Sequence, residues 1–129
     1  MKLPPLPQAD KSLAGATGKA AEQVARQYLE SQGLVLRERN YRCRRGEIDL
    51  IMQAGNQVVF VEVRYRKSRR YGSAAESVTA AKQARIVSAA NHYLQRLAGE
   101  CACRFDVVAI SGNLGEQIDW IPDAFQAQT

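Results

Sequence analysis

At 129 residues the chain is long enough for one domain with a sizeable core, and 46% hydrophobic against 24% charged residues is an ordinary globular balance. The formal charge of +5 is unevenly placed: residues 37–72 carry ten basic side chains, nearly all Arg, against four acidic ones. That concentration favours a polyanionic partner such as nucleic acid, while the opening MKLPPLPQADKSLAG has no apolar run for a secretory signal or membrane span, so a cytoplasmic protein with no membrane partner is expected.

Residues 1–14, rich in Pro and polar groups, read as a flexible leader before a single domain over 15–129. The spacing of Ala21, Val24, Ala25, Tyr28 and Leu29 predicts a helix, capped by Thr17 and ended by Gly33. Glu22 falls at the edge of that stripe, placed to reach the rim of whatever the helix covers or simply to favour the helix dipole. Strands follow over LVLRERNYR (34–42), GEIDLIMQA (46–54) and QVVFVEVRY (57–65), the last two joined as a hairpin by Gly55-Asn56. After a polar, Arg-rich loop comes a helix over 80–97, capped by Thr79, with Ile86, Ala90, Tyr93, Leu94 and Leu97 as its apolar side. Lys82 and Gln83 stand on that same side at the first turn, and His92 points away. CRFDVVAI and EQIDWI are the last two strands, joined by SGNLG. Cys101-x-Cys103 has no second pair to complete a thiolate metal site, and the odd count of three cysteines does not suggest a disulfide framework. The order α-β-β-β-α-β-β predicts an α/β fold with a mixed sheet of about five strands flanked by helices.

The hairpin carries the chemistry. Side chains alternate across a strand, so Glu47, Asp49 and Ile51 are expected on one face of the second strand. Val58, Phe60, Glu62 and Arg64 are expected on one face of the third. A two-residue loop puts Ala54 opposite Gln57, hence Asp49 opposite Glu62 and Glu47 opposite Arg64. Two carboxylates about 5 Å apart repel by roughly 3 kcal/mol at an effective dielectric near 20. That is a large share of a domain's stability of about 5–15 kcal/mol. Arg64 offsets part of it, and a hard divalent cation such as Mg²⁺ or Mn²⁺ suits the remainder. The competing arrangement is an exposed hairpin with a Glu47–Arg64 ion pair and hydrated acids. The third strand, apolar on both faces from Val58 to Val63, argues for cover on both sides.

These residues resemble the PD-(D/E)XK signature of restriction-endonuclease-like nucleases, with Asp49 as the first acid and Glu62-Val63-Arg64 as the second element. The ordered set GKAAEQVARQYLESQG, RNYRCRRGEIDLI, VVFVEVRYR, YGSAAESV, KQARIVSAANHYL, RFDVV and PDAF resembles the bacterial YraN family, small proteins of unassigned function similar in outline to archaeal Holliday junction resolvases. The resemblance implies a restriction-endonuclease-like fold. It implies Asp49, Glu62 and the main-chain carbonyl of Val63 as metal ligands, and Glu22 as the first-helix acid of resolvase-like relatives. Position 64 departs from the pattern: Arg stands where Lys is expected, and Arg stabilises charge but cannot act as a neutral base.

Three functions follow. The first is a Mg²⁺- or Mn²⁺-dependent nuclease on DNA, with Asp49, Glu62, Arg64, Glu22 and Glu47 as its catalytic residues. The second is a nucleic-acid-binding protein that has kept the scaffold and lost turnover. The third is an adaptor that uses a basic face on an acidic protein. In the first two, Arg42, Arg44, Arg45, Arg66, Lys67, Arg69, Arg70 and Lys82 grip the phosphate backbone. Tyr65 and Tyr71 either stack on exposed bases or pack over the strand end. A homodimer is expected by analogy with resolvases, because a symmetrical junction takes two cuts.

Overall fold

Gly55 opens the hairpin turn at a φ of 60°, a conformation Gly adopts without a Cβ clash, and Ala54 pairs with Gln57 across it. The computed structural model containing this hairpin describes residues 18–66, 77–97, 99, 101–112 and 117–127. The expected leader, the Thr17 cap, Lys67, Arg69, Arg70 and Tyr71 lie outside those residues. The elements are α1 (Gly18–Ser31), β1 (Val35–Cys43), β2 (Gly46–Ala54), β3 (Gln57–Arg66), α2 (Ala80–Leu94), β4 (Ala102–Ser111) and β5 (Gln117–Phe125). Among the described residues, the strands form one mixed sheet in the order β1-β2-β3-β4-β5, with β3 and β4 parallel and the other pairs antiparallel. This is the expected α/β, restriction-endonuclease-like arrangement.

Each helix covers one face of the sheet. Ala20, Ala21, Val24, Ala25 and Leu29 of α1 pack on Leu50, Met52, Val59, Val61, Val108 and Ile110. Ile86, Ala89, Ala90 and Tyr93 of α2 pack on Ile51, Val58, Phe60, Phe105 and Val107. The central strand β3 is therefore buried on both faces, as its apolar run from Val58 to Val63 implies. α1 ends where Gly33, at a φ of 97°, lets the Leu34 N–H reach back to the Leu29 carbonyl at 3.1 Å. Thr79 caps α2, its hydroxyl accepting from the Lys82 N–H at 3.1 Å. The helix ends at Leu94 rather than 97, with Gln95 as its C-cap.

Two details set the site. Gly46 lies against the α2 main chain so closely that a Cβ there would stand 1.9 Å from the Arg85 carbonyl oxygen. That approach presses the first turns of α2 onto the start of β2. The second detail corrects the expected alternation along β2. Ile48 and Ile51 share the α2 face although they are three residues apart, while Leu50 faces α1. In β1, Tyr41 packs with α2 whereas Arg39 lines a groove beside α1. Pairing passes from Arg39↔Leu50 to Tyr41↔Ile48, skipping Asn40 and Asp49, and Asn40 has a φ of 52°. The left-handed residue turns β1 over, and the paired strand turns with it. The strict alternation expected for Glu47, Asp49 and Ile51 is therefore broken, and Asp49 sits at the point where β2 reverses.

Candidate metal and nucleic-acid site

β2 and β3 stay paired as far as Leu50↔Val61, so Asp49 and Glu62 are the next positions in the same register. Beyond that pair the Asp49 carboxylate takes over from the ladder and accepts the Val63 N–H at 2.8 Å. The Asp49 carboxylate also acts on the carboxyls of Glu62 and of Glu22 of α1, raising both. The reversal at Asp49 lets one carboxylate meet acids that come from opposite faces of the sheet.

Glu62 is only 4% exposed. Burial pushes its carboxyl up to about 8, and the adjacent Asp49 raises it further than the Lys82 and Arg64 cations lower it. Glu22 is raised to about 7, again first by burial and then by Asp49, while a hydrogen bond from Asn40 pulls the other way. The cations stand close without full contact: Arg64 Nη1 is 3.6 Å and Lys82 Nζ 3.9 Å from the same Glu62 Oε2. Lys82 Nζ also lies 4.0 Å from Glu47 Oε1, and Arg42 Nε 3.2 Å from Glu47 Oε2.

The expected site residues thus divide. Asp49, Glu62 and Glu22 come together, with the Val63 main chain, Arg64 and Lys82 beside them. Glu47 joins through Lys82 and Arg42, and the expected opposition of Glu47 and Arg64 is replaced by those two contacts. Arg44 and Arg45 are exposed at the β1–β2 turn, and Arg66 is half-buried at the end of β3. Tyr65 packs on the α1 face and donates to the Gly112 carbonyl at 3.1 Å, so it has the packing role. The place of Lys82 against two acids and the part played by Asn40 are not evident from the sequence. The only signal for Lys82 is its position in the capped first turn of α2.

The donor set fits a hard cation. Among the described residues no group of three His, Cys, Asp or Glu side chains forms a ready metal cage. Two adjoining carboxylates without full partners nevertheless suit Mg²⁺ or Mn²⁺, which take a few protein oxygens and keep several waters. The three cysteines are free, and burial raises the Cys103 thiol. Among the described residues, no helix is long and apolar enough to cross a membrane.

Fold and site together define an α/β protein of nuclease-like architecture with a carboxylate cluster at the splayed end of its central hairpin. The chain belongs to the uncharacterised protein family UPF0102, whose model matches residues 21–110, in keeping with the YraN-like resemblance. It is 56% identical over 114 residues to a UPF0102 protein of Nitrosomonas europaea, covering 88% of this chain and 97% of that one. It is 52% identical over 115 residues to another from Nitrosococcus oceani, covering 87% and 93%. A third, from Herminiimonas arsenicoxydans, is 44% identical over 127 residues, covering 98% and 100%.

Proposed function

We propose that this protein is a cytoplasmic, divalent-metal-dependent nuclease that hydrolyses phosphodiester bonds in DNA. The observation that carries the reading is the meeting of Asp49 with Glu62 and Glu22 where the β2–β3 ladder ends, with two cations held just short of contact. Asp49 and Glu62, with the carbonyl of Val63, would hold Mg²⁺ or Mn²⁺, which when bound polarises the scissile phosphate and lowers the pKa of a water. Both glutamates give up their protons to make that site. Lys82 and Arg64 present fixed positive charge beside Glu62, where it opposes the negative charge that builds on the phosphoryl oxygens.

The Arg at position 64 does not leave the site without a lysine, because the Lys82 ammonium approaches the same oxygen of Glu62 from α2. Glu47, held by Arg42 and Lys82, fixes the ammonium in place, and Glu22 orders solvent on the α1 side. Arg42, Arg44 and Arg45 grip the backbone, giving strong salt dependence and little sequence readout. Two cuts in a symmetrical substrate call for a homodimer.

Incubation with branched, single-stranded and duplex DNA plus Mn²⁺, beside Asp49→Ala, tests the reading. Cleavage by the wild type that disappears in the variant is the expected result. Salt-sensitive binding without cleavage would leave a binding protein on a nuclease scaffold, and neither binding nor cleavage would favour a protein adaptor.

A further inference from the structure

The α1 helix uses one stripe to cover the sheet and turns a second stripe toward β1. Lys19, Gln23 and Gln27 follow one another at four-residue spacing along that second stripe. Across from them stand Arg39 and Asn40 of β1, and the space between is a groove of about 580 Å³ with Leu50 at its floor. That volume lies within the roughly 300–1,000 Å³ typical of small-ligand sites. Its lining is otherwise polar, which disfavours an apolar ligand.

The chemistry of the lining is specific. The Lys19 ammonium and the Arg39 guanidinium suit phosphate oxygens. The amides of Gln23, Gln27 and Asn40 each offer both a donor and an acceptor, the combination that reads a nucleobase edge. Arg26 is engaged with Glu30 at 3.4 Å, and Arg39 brings positive charge from the β1 wall. Glu22 belongs to both places: it lines the groove with Asn40, and its carboxyl is raised by Asp49 of the carboxylate cluster. A strand that lays a phosphodiester at Asp49 and Glu62 therefore has its next nucleotides beside Asn40 and Gln23.

We propose that the α1–β1 groove binds an unpaired nucleotide strand adjoining the phosphodiester at the carboxylate cluster. This rests on the proposed hydrolysis for the direction of the strand, but the binding itself requires no metal. An unpaired strand suits these amides best, because its bases offer their pairing edges as well as the groove edges that a duplex exposes. The substrate class is then nucleic acid with a single-stranded segment next to the cut, such as a flap, a gap or an open branch.

The experiment is fluorescence anisotropy in EDTA with a labelled oligodeoxynucleotide of about 12 residues, single-stranded or annealed as a duplex. Wild type is compared with Gln23→Ala, with the triple variant Gln23→Ala, Gln27→Ala, Arg39→Ala, and with Arg45→Ala outside the groove. The triple variant is expected to lose single-strand affinity by about 10-fold or more while duplex affinity holds, and Gln23→Ala shows a smaller loss of the same kind. Arg45→Ala lowers both affinities alike. Thermal melting checks that each variant is folded, and the exposed Gln23 keeps the test open if the triple variant is not. Equal loss for single strand and duplex, an unchanged single-strand affinity, or no single-strand binding by the wild type overturns the inference. Cleavage is scored separately. Loss of groove binding in a protein that never cuts DNA upholds the groove and removes the nuclease reading, while cutting with an indifferent groove does the reverse.

Discussion

Two buried acids on neighbouring strands differ in how they are satisfied. Asp106 of β4 is 0% exposed and Glu62 of β3 4%, and the parallel register sets Asp106 beside Val61 and Glu62 beside Val107. They point to opposite faces of the sheet. Asp106 accepts from Arg104 Nε at 3.0 Å, from the Trp120 indole at 2.9 Å and from the Asp123 N–H at 2.9 Å. Arg104 is itself tied to Gln57 at 3.0 Å. Among the described residues, Glu62 has cations at 3.6 and 3.9 Å and the carboxylate of Asp49 acting on it. A carboxylate with matched donors ties β4 to β5. A carboxyl raised by burial and by another acid has the perturbed environment that functional acids share.

The strongest way to break this contrast is to remove each acid in turn. Asp106→Ala strands the part-buried Arg104 guanidinium and the Trp120 and Asp123 donors, and is expected to cost about 3 kcal/mol in urea unfolding. Glu62→Gln removes a repelled carboxylate and is expected to leave the metal-free fold at least as stable above pH 7, while abolishing Mn²⁺ binding. Equal destabilisation by the two would mean that Glu62 is structural after all.

The next largest effect sharpens the contrast on the Glu62 side. Lys82→Ala is expected to lower cleavage by about 100-fold, the order seen when one charge-stabilising donor is lost. Mn²⁺ affinity, read by titration calorimetry, should hold or rise, since a cation has left the neighbourhood. Arg64→Lys should stay close to wild type. A Lys82→Ala protein that cuts normally would return the role to Arg64.

The pH dependence tests the Glu62 side of the contrast without any mutation. Glu62 is raised from 4.5 to about 8 in the folded chain, so between those values the folded state holds a proton that the unfolded state has released. Its contribution to stability is complete below pH 4.5 and is lost as pH rises through 8. The metal-free protein should weaken over that window, with a slope of at most about 1.4 kcal/mol per pH unit for that proton. Glu22, raised to about 7, adds in the same direction. Mn²⁺ displaces the protons, so its affinity should climb over the same range with proton release on binding. Glu62→Gln should flatten both dependences; a slope that persists would belong to other groups.

What the sequence makes legible follows the range of the interactions. A two-residue loop fixes the parity of a hairpin, so the Asp49–Glu62 register can be counted from Gly55-Asn56. The α1 stripe and the Thr79 cap are equally local. The Asp106 network is not, because its donors Arg104, Trp120 and Asp123 come together only when β5 folds back on β4 with a register shift between Phe105 and Val107. The position of Lys82 depends on Gly46, where the missing side chain admits α2, and a lone Gly before a strand does not announce a helix packed against it. The reversal at Asn40 also escapes an alternation pattern, which assumes an unbroken strand.

That reversal supplies the smallest effect. Asn40 is the left-handed residue of β1, at a φ of 52°, and its side chain is the hydrogen-bond partner that lowers Glu22. Substitution separates these two jobs. Asn40→Ala meets the Cβ penalty and is expected to lose about 1 kcal/mol, whereas Asn40→Gly, free of that penalty, stays near the wild type. Both remove the amide, so in both the Glu22 carboxyl should titrate higher than in the wild type, a change that NMR of the side-chain carbon reads directly. If Ala and Gly cost the same, the backbone turn does not depend on the left-handed residue. If Glu22 titrates unchanged in both, the acid on α1 takes its environment from burial and Asp49 without a share from Asn40.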